Sequence, residues 1–342
     1  MKVLFVGGTG IISTACVELA VARGHAVTVL NRGNRSAPEG ARSIVGDIND
    51  LDTISSALGS EKWDSIVDVT AFIPQEVERR IALFSGKTDQ YVFISSASAY
   101  QKPVTHYLIT EETPLDNPFW QYSRDKARCE KILLDANQSG QLPCTIIRPS
   151  LSYGSKHVPL VMNSWHKPYT IVDRMRRGLP LVVPGDGTSL WTITHSSDFA
   201  IGLVGLLGNT QAVGEAFHIT SDEVQTWDQY AFQTAAAAGV PMPDLVHIAS
   251  DFIAACMPDC LGSLLGDKSV SVVFDNSKIK RFVPDFKATV SFAGGIRKSI
   301  ENMDADDSLR AIDDDHNLEI DRLIAAYRSG LEAAKPQFAP SR

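Results

Sequence analysis

A tyrosine and a lysine four residues apart, Tyr122 and Lys126, are the pair in this sequence best spaced for acid–base chemistry. They lie in YSRDKARCEKILL, whose composition is helical, so residues i and i+4 share one helix face with Cβ atoms about 5 to 6 Å apart. A phenol with a pKa of about 10 is a poor base at neutral pH, and a neighbouring ammonium favours its phenolate. The spacing predicts that Tyr122 transfers a proton and that Lys126 tunes it. A surface aromatic beside a solvated lysine gives the same pattern.

Small hydroxyl side chains follow the apolar run YVFI in the segment SSASAY, which ends at Tyr100. At the end of a buried strand, Ser96 is placed to hydrogen-bond a substrate carbonyl or carbinol oxygen while Tyr122 transfers its proton. Ser98, two residues further on, is a candidate substrate contact. Serine is also common in turns after strands, so these hydroxyls fit a structural role as well.

The segment VLFVGGTGIIS at residues 3–13 has the order of a strand, a glycine-rich loop and a helix. In a dinucleotide-binding loop, Gly7 would permit the tight turn, and Gly10 would let the backbone approach a pyrophosphate. That pyrophosphate would lie at the positive end of the helix, near Ile11 and Ile12. Ser13 stands where a third glycine is usual, and we expect it to weaken only the packing of helix on strand. The context favours a phosphate-binding loop over an ordinary glycine turn.

Short apolar runs alternate with helical stretches through the first half of the chain. The strand candidates are residues 2–6, 26–31, 43–45, 65–69, 91–95 and 144–148. Such alternation predicts an α/β fold with a Rossmann-type, doubly wound parallel sheet. Ligands on such a sheet bind outside the carboxyl ends of the strands, so the segments after these runs should converge on one crevice.

The regularity of the pattern divides the chain into two regions. We predict an NAD(P)-binding Rossmann domain over residues 1–150 and a mainly substrate-binding region over 151–342, with a segment near 195–222 returning to the Rossmann sheet. The acidic stretch 304–317 suggests a solvated linker before a last helix at 318–334, and the tail 335–342 is expected to be frayed.

Composition limits the classes of partner. The formal net charge is −8 and the pI about 5.5, which argues against nucleic acid or an anionic membrane surface as the main partner. The first strand begins at once and no apolar run approaches the length of a membrane span, so we expect a cytoplasmic location. The five cysteines are odd in number, and the C-x3-C pair Cys256 and Cys260 has no further ligands nearby. We therefore predict reduced thiols and no metal site.

Taken together, the motifs resemble the extended short-chain dehydrogenase/reductase family, also called NAD-dependent epimerase/dehydratases. The motifs that carry the resemblance are GGTGIIS, GDIND, ISSASAY, YSRDK, RPSLSYG and GDGTSLWTITHSSDFA. The resemblance implies a catalytic triad of Ser96, Tyr122 and Lys126, with Lys126 also holding the nicotinamide ribose. The further cofactor contacts that it implies are Asp47, Ile48, Ala71, Ser95 and Pro149. Relatives are often dimers, which implies a homodimer by analogy.

Departures from the family pattern concern the substrate. Ala97 and Ser98 stand where dehydratases of nucleotide sugars carry an Asp-Glu pair, so dehydration lacks its acid and base. Leu151 and Trp191 replace the asparagine and arginine common in members that bind nucleotide sugars, and an indole cannot replace a guanidinium against a phosphate. Trp191 and Trp120 would instead offer flat faces to a sugar ring or another small ligand, and either ring also fits the core of the smaller region. Lys156, Arg174 and Arg176 could still supply a cation to a phosphate by another route.

The end of the second strand candidate bears on the choice of cofactor. An acidic residue about twenty positions after the glycine loop would accept hydrogen bonds from the ribose 2′-hydroxyl. Asn31 stands there instead, followed by Arg32 and Arg35. The cofactor is therefore expected to be NAD(P), with NADP(H) favoured over NAD(H), although surface arginines often have no specific role.

The sequence thus predicts an NAD(P)-dependent oxidoreductase or epimerase acting at a secondary alcohol or ketone of a sugar or polyol derivative. One alternative is a nucleotide-sugar 4-epimerase. Another is a non-enzymatic protein that binds RNA or a dinucleotide, which would predict a damaged triad or a basic stripe with exposed aromatics. The triad residues are present and the chain is acidic.

Overall fold

Seven parallel strands form the central sheet of the first of two units in this computed structural model, which describes residues 1–338. The strands of the described residues are β1 Lys2–Val6, β2 Ala26–Asn31, β3 Arg42–Val45, β4 Ser65–Asp68, β5 Tyr91–Ile94, β6 Leu108–Ile109, β7 Cys144–Pro149, β8 Leu151–Tyr153, β9 Leu181–Pro184, β10 Leu190–Trp191, β11 Ile193–His195, β12 Ala216–Ile219, β13 Gln225–Thr226, β14 Leu245–Ile248 and β15 Val273–Phe274. The sheet order is β12-β7-β5-β4-β1-β2-β3. From β1 the chain adds β2 and β3 on one side and then β4, β5, β7 and β12 on the other, so the strand order reverses between β1 and β4. Ligands bind at such a point in folds of this kind.

Helices cover both faces of this sheet. The helices of the described residues are α1 Ile11–Ala22, α2 Leu51–Leu58, α3 Pro74–Phe84, α4 Gln121–Gln138, α5 Thr170–Arg176, α6 Ser196–Leu206, α7 Trp227–Ala237, α8 Ser250–Cys256, α9 Leu261–Ser263, α10 Ser277–Phe282, α11 Phe292–Asp304 and α12 Asp314–Ala334. Side chains alternate along β1, so Val3 and Phe5 join a core with α1 and α6, whereas Leu4 and Val6 join one with α3 and α4. Burial on both faces explains why inner strands such as β1 and β5 are nearly continuous apolar runs, whereas β3 at the sheet edge is largely exposed.

The predicted α/β fold with a doubly wound parallel sheet is confirmed. The predicted strands differ from the observed ones by one residue at an end: β3 begins at Arg42, β4 ends at Asp68, β5 ends at Ile94 and β7 continues to Pro149. Sheet hydrogen bonds at the strand ends, which a hydropathy pattern does not record, decide these bounds.

The first unit consists of three chain segments, 1–154, 192–223 and 272–290. The second segment contributes β12 to the sheet, where Phe217 pairs with Ile147. The third segment had not been predicted to belong there. It contributes β15, which pairs in parallel with β6 between Val273 and Leu108. Two-residue strands are too short for an alternating pattern to reveal them.

Among the described residues, the second unit consists of segments 155–191, 224–271 and 291–338. It holds two small two-stranded sheets, β9 with β14 in parallel and β10 with β13 antiparallel. Its buried apolar residues include Val182, Ile248 and Leu264, and Leu323 of α12 packs among them. This unit therefore has a core of its own.

The acidic stretch before the last helix is shorter than predicted. Helix α12 begins at Asp314 instead of residue 318, and Asp313 caps it by accepting a hydrogen bond from the amide of His316 at 3.4 Å. Acidic residues stabilise a helix N-terminus, so the aspartates start this helix. In the predicted frayed tail, residues 335–338 form a 3-10 turn, and residues 339–342 lie outside the described residues. None of the helices in residues 1–338 combines the length and the apolar character needed to cross a bilayer.

Candidate active site

The glycine-rich loop between β1 and α1 is fixed by packing and by one serine. Gly7 has a φ of +86°, and a Cβ there would lie 2.4 Å from Cγ2 of Thr70, so neither the backbone angle nor the space allows a side chain. At Gly10, by contrast, Ser13 Oγ at 3.3 Å is the one atom of the described residues beyond its chain neighbours within 4 Å of a Cβ position. The backbone at Gly10 is therefore open on the side where a pyrophosphate would approach.

Ser13 has a larger role in this loop than the sequence suggested. Its hydroxyl accepts a hydrogen bond from the amide of Gly10 at 2.8 Å and donates one to the carbonyl of Gly7 at 2.9 Å. The side chain is buried, so these bonds are shielded from water. A serine in the third glycine position thus closes the loop from inside. Ile11 and Ile12 follow as the first, partly buried residues of α1.

The turn after β2 places an arginine against the glycine loop. The Asn31 side chain accepts a hydrogen bond from the amide of Gly33 at 2.8 Å and donates one to the carbonyl of Arg35 at 3.4 Å, so it shapes the turn. Arg35 in turn donates from Nη1 to the carbonyl of Thr9 at 3.0 Å. Arg32 and Arg35 are both exposed. The predicted cations therefore lie on the turn after β2, and one of them reaches the loop that would hold the dinucleotide.

After β3, Asp47 is exposed and Ile48 is buried. Asp47 accepts a hydrogen bond from the amide of Asn49 at 2.9 Å, and the Ile48 carbonyl accepts one from Arg80 Nη1 at 3.3 Å. The turn before α2 is thus braced from within the sheet, while the Asp47 carboxylate remains accessible to solvent.

At the end of β4 lies Asp68, a carboxylate that sequence analysis missed. Its Oδ2 accepts hydrogen bonds from Arg80 Nε at 3.0 Å and from the Tyr91 hydroxyl at 2.9 Å, and all three residues are fully buried. Its Oδ1 accepts from the amides of Thr70 at 2.7 Å and Ala71 at 3.2 Å. Asp68 therefore fixes the loop that includes the predicted cofactor contact Ala71.

Lys126 on α4 is buried and held by backbone carbonyls. Its Nζ donates to the carbonyl of Ala71 and to that of Ile94, each at 2.7 Å. It also lies 4.6 Å from the centroid of the Phe72 ring and 5.9 Å from that of Tyr122. Burial lowers the pKa of Lys126 to about 8. The ammonium thus titrates much closer to neutral pH than a solvated lysine.

Tyr122, at the start of α4, is partly buried among aromatic rings. The centroid of its ring lies 4.9 Å from that of Trp120 and 6.5 Å from that of Phe72. Phe72 is 47% exposed, so this aromatic cluster of Phe72, Trp120 and Tyr122 reaches the surface of the first unit. Of these residues, Trp120 is a predicted substrate contact and Phe72 is not.

A chain of hydroxyl groups connects the segment after β5 with α4. Ser96 Oγ lies 2.9 Å from Ser98 Oγ, and Ser123 Oγ donates to Ser98 Oγ at 2.8 Å. The Ser98 carbonyl also accepts from Asn117 at 2.7 Å. Because Ser123 follows Tyr122 directly, this chain holds the first turn of α4 to the segment that carries Ser96. Ser98 itself is buried and links the two elements.

Ser95 belongs to a second, buried network. Its hydroxyl donates to Glu130 of α4, and Glu130 forms an ion pair with Arg148 of β7, whose Nη2 lies 2.6 Å from Oε2. Arg148 also donates to the Tyr100 hydroxyl at 3.2 Å. Burial raises the pKa of Tyr100, so its hydroxyl keeps its proton. Ser95 is therefore tied to the scaffold that joins β5, β7 and α4.

Two further candidates lie at the end of β7 and in β8, and one lies in the other unit. Pro149 and Leu151 are partly buried, and Leu151 pairs with Ile193 in the small parallel sheet of β8 and β11. Trp191 belongs to the second unit, is 2% exposed and stacks on Trp227 with centroids 5.7 Å apart. Its ring is thus buried, which fits a core role and not the predicted open face for a ligand.

Two other sets of residues bear on metals and phosphates. Residues 1–338 contain no cluster of three or more His, Cys, Asp or Glu side chains suited to a metal, and their five cysteines are all free thiols. In the second unit, Arg174 pairs with Asp321 and Arg176 pairs with Asp304. These two arginines are therefore already neutralised by carboxylates.

One family model and several curated proteins match the sequence of this chain. A model of the NAD dependent epimerase/dehydratase family matches residues 3–220. The chloroplast stem-loop binding protein of 41 kDa b from Arabidopsis thaliana is 30% identical over 263 residues, which cover 72% of this chain and 65% of that protein. The 2′-dehydrokanamycin reductase of Streptomyces kanamyceticus is 26% identical, over 84% of this chain and 80% of that protein. The chain thus spans less than two thirds of the first relative's length.

Solved structures share the fold. The dTDP-glucose 4,6-dehydratase of Bacillus anthracis in complex with NAD superposes with a TM-score of 0.70 at 19% identity, over 90% of this chain and 98% of that one. At such low identity the likeness concerns the architecture alone.

Proposed function

Because the chain belongs to the NAD-dependent epimerase/dehydratase family, we propose that it is an NAD(P)-dependent oxidoreductase or epimerase acting at a secondary alcohol or ketone of a sugar-like small molecule. The observation that carries the proposal is the position of Lys126, whose buried ammonium is held by two carbonyls and faces the ring of Tyr122. When bound, the nicotinamide ring would supply the hydride acceptor or donor.

The role of each residue follows from its surroundings. The ammonium of Lys126 lies beside the Tyr122 ring in a poorly hydrated site, where a positive charge favours the phenolate over the phenol. Tyr122 then accepts a proton from a substrate hydroxyl or returns it to a carbonyl oxygen. Ser96, whose hydroxyl is hydrogen-bonded to Ser98, orients that oxygen.

The residues at the carboxyl edge of the sheet support dinucleotide binding. The open backbone at Gly10 and the N-terminus of α1 suit a pyrophosphate, which fits the residues present. Asn31 carries no charge that would repel a 2′-phosphate, and Arg35 lies against the glycine loop. We therefore propose a preference for NADP(H) over NAD(H).

The substrate is proposed to lack a nucleoside diphosphate anchor. Leu151 and Trp191 supply neither the amide nor the cation for such a group. Of the three basic residues that could replace that cation, Lys156, Arg174 and Arg176, the two arginines are paired with carboxylates. Burying a diphosphate without cationic partners is costly. The aromatic cluster of Phe72, Trp120 and Tyr122 instead suits the apolar face of a sugar ring.

Two measurements test this proposal. Native mass spectrometry of the purified protein should detect a bound dinucleotide. If none is bound after purification, the protein should bind a dinucleotide that is added. A binding screen should then compare UDP-, GDP- and dTDP-sugars with free sugars, sugar acids and polyols, and we expect ligands only in the second group. Micromolar binding of a nucleotide sugar, with free sugars silent, would refute the substrate class while leaving the dinucleotide result intact.

A second candidate function is RNA binding, which the 30% identity to the Arabidopsis stem-loop binding protein favours. The net charge of −8 opposes it, because phosphate contacts from Lys and Arg supply most non-specific affinity for nucleic acid. A filter-binding titration with a stem-loop RNA at physiological salt separates the two candidates. Submicromolar binding that added NADPH does not affect would favour the RNA-binding role.

A further inference from the structure

Two carboxylates hold four consecutive backbone amides beside the candidate site. The amides of residues 70–73 form the loop after β4, and each of them donates to Asp68 or Glu76. The donor–acceptor distances are 2.7 Å for Thr70 and 3.2 Å for Ala71 to Asp68 Oδ1, and 2.7 Å for Phe72 and 3.3 Å for Ile73 to Glu76 Oε2. With every amide of this loop engaged, the directions of its carbonyls are fixed as well.

One peptide unit of this loop connects Glu76 with Lys126. The amide of Phe72 donates to the Glu76 carboxylate, and the carbonyl of the same peptide, that of Ala71, accepts from Lys126 Nζ at 2.7 Å. A peptide between an anion and a cation is polarised in the direction that strengthens both hydrogen bonds. The position of the ammonium thus depends on a carboxylate that it does not touch.

Asp68 supports this arrangement from the sheet. Arg80 and the Tyr91 hydroxyl occupy its Oδ2, which leaves Oδ1 to the loop, and the three side chains are fully buried. A carboxylate held on one side by a buried arginine has little freedom to rotate. It therefore sets the two peptides that precede Ala71.

We propose that Asp68 and Glu76 are positioning residues that orient Lys126 through the peptide between Ala71 and Phe72. The inference rests on the proposed function of Lys126 as the partner of Tyr122. Neither carboxylate contacts substrate in this scheme, and each sets the position of Lys126 through the loop. If the peptide is released, Lys126 keeps the carbonyl of Ile94 as its remaining anchor and turns away from the Tyr122 ring.

Helix capping alone does not explain Glu76. A glutamate at the third position of a helix commonly accepts from the amide of the capping residue, here Ile73. The shorter bond, however, goes to Phe72, which lies before the cap and carries no helical amide. That bond is the one that reaches Lys126.

Three variants on α3 provide the test. Glu76→Ala removes the acceptor, Glu76→Gln keeps an acceptor oxygen without the charge, and Glu78→Ala is the matched control on an exposed residue of the same helix. Titration of protein labelled with carbon-13 at lysine Cε follows Lys126 without any cofactor, because its pKa of about 8 separates it from solvated lysines. Hydrogen exchange of the Phe72 amide and kcat/KM on an identified substrate complete the measurements.

Loss of the Glu76 charge and loss of the peptide's orientation affect different measurements. The ionisable groups that face the Lys126 ammonium are Asp68, Glu76, Tyr122, Cys129 and Glu130. Since the Glu76 charge favours the protonated amine, both substitutions at Glu76 should lower the pKa of Lys126. Only Glu76→Ala should also expose the Phe72 amide and reduce kcat/KM about tenfold, the scale of one lost charge-assisted hydrogen bond. Glu76→Gln should retain most of kcat/KM.

Asp68→Asn, with Tyr91→Phe as its control, tests the other half of the loop. It should accelerate exchange at the amides of Thr70 and Ala71, whereas Tyr91→Phe, which removes a bond only to Oδ2, should not. If the Phe72 amide exchanges no faster in Glu76→Ala than in Glu76→Gln and Glu78→Ala, the positioning role is wrong, whatever the activity. If the variants give the expected exchange and titration results but the protein binds no dinucleotide, the proposed function alone is contradicted.

Discussion

Two cations of the first unit are held differently from two cations of the second. In the first unit, Lys126 and Arg35 are bound by backbone carbonyls, and no carboxylate in residues 1–338 lies within ion-pair distance of either. In the second unit, Arg174 and Arg176 are bound by Asp321 and Asp304. A carbonyl orients a cation without neutralising it, so its charge remains available to a ligand or a neighbouring phenol. A carboxylate cancels that charge.

Titration behaviour separates the two kinds of site. Burial lowers the pKa of Lys126 to about 8, whereas the hydrogen bond from Arg176 lowers the pKa of Asp304 to about 2. The first group can change its protonation near neutral pH, and the second stays ionised. The first unit also contains ion pairs, Arg80 with Asp68 and Arg148 with Glu130, and these brace the segments around the candidate site. Lys126 and Arg35 thus keep a charge that no carboxylate of residues 1–338 cancels.

The largest expected effect concerns Tyr122, the proposed proton-transfer residue. Tyr122→Phe should leave dinucleotide binding nearly intact and lower turnover by at least about 100-fold, because a positioned proton donor is lost. Lys126→Ala should weaken both binding and turnover. Steady-state kinetics on an identified substrate and a dinucleotide titration measure the two effects.

The control for this prediction is the same substitution at an exposed tyrosine. Tyr107→Phe, at a residue 56% exposed in the same unit, should change neither quantity. Retention of most activity by Tyr122→Phe would show that this tyrosine does not transfer the proton.

Arg174 tests the structural side of the comparison. Its side chain is 3% exposed and donates to the carbonyl of Pro180 at 2.7 Å and to Asn317 at 3.3 Å, besides its pair with Asp321. Arg174→Met should lower the free energy of unfolding by about 2 to 3 kcal/mol, since buried acceptors lose their donor. Urea unfolding measures this loss.

Arg177 offers a matched control three residues further on. Its pair with Asp173 is 3.2 Å long but its side chain is 56% exposed, and exposed pairs contribute little. Arg177→Met should therefore change the free energy of unfolding by less than about 0.5 kcal/mol. Equal losses in the two variants would contradict the distinction between a buried and an exposed arginine.

The fold could be predicted from the sequence because each central strand is a short apolar run between turn residues. Burial on both faces of a parallel sheet leaves that pattern in the sequence itself. The Tyr122 and Lys126 pair could be found for a similar reason, since both belong to one helix. The contact of Lys126 with Ala71 joins residues 55 positions apart, and no local pattern encodes it.

The missed carboxylates do have signals in the sequence. Asp68 stands inside the apolar run SIVDV, and a charged residue in a buried strand requires partners. Glu130 lies four residues after Lys126 and so shares its helix face. The burial of Trp191, by contrast, could not be predicted, because an aromatic residue in a loop pattern gives no indication of whether its ring is exposed or, as here, buried.

The preference between NADPH and NADH tests whether the charge of Arg35 acts on a ligand. If its uncancelled charge serves a 2′-phosphate, NADPH should bind at least about tenfold more tightly than NADH, a difference of about 1.4 kcal/mol. Arg35→Ala should remove most of this preference by weakening NADPH binding alone. Fluorescence titration of both cofactors measures it, with Arg79→Ala, an exposed arginine on α3, as the control. Tighter binding of NADH to the wild-type protein would overturn the prediction.

The smallest expected effect is the acid dependence of the Asp304 pair. The pKa of this carboxyl is lowered to about 2 by Arg176, so the pair stabilises the folded state above pH 4 and loses that contribution as the pH falls towards 2. Both side chains are 36% exposed, and after solvent screening the contribution should be less than about 1 kcal/mol. Urea unfolding at pH 5 and pH 3 should show wild type and Asp304→Asn converging in acid, while Asp285→Asn, at an exposed residue, follows wild type throughout. A gap that stays constant between these pH values would mean that the Asp304 charge does not stabilise the second unit.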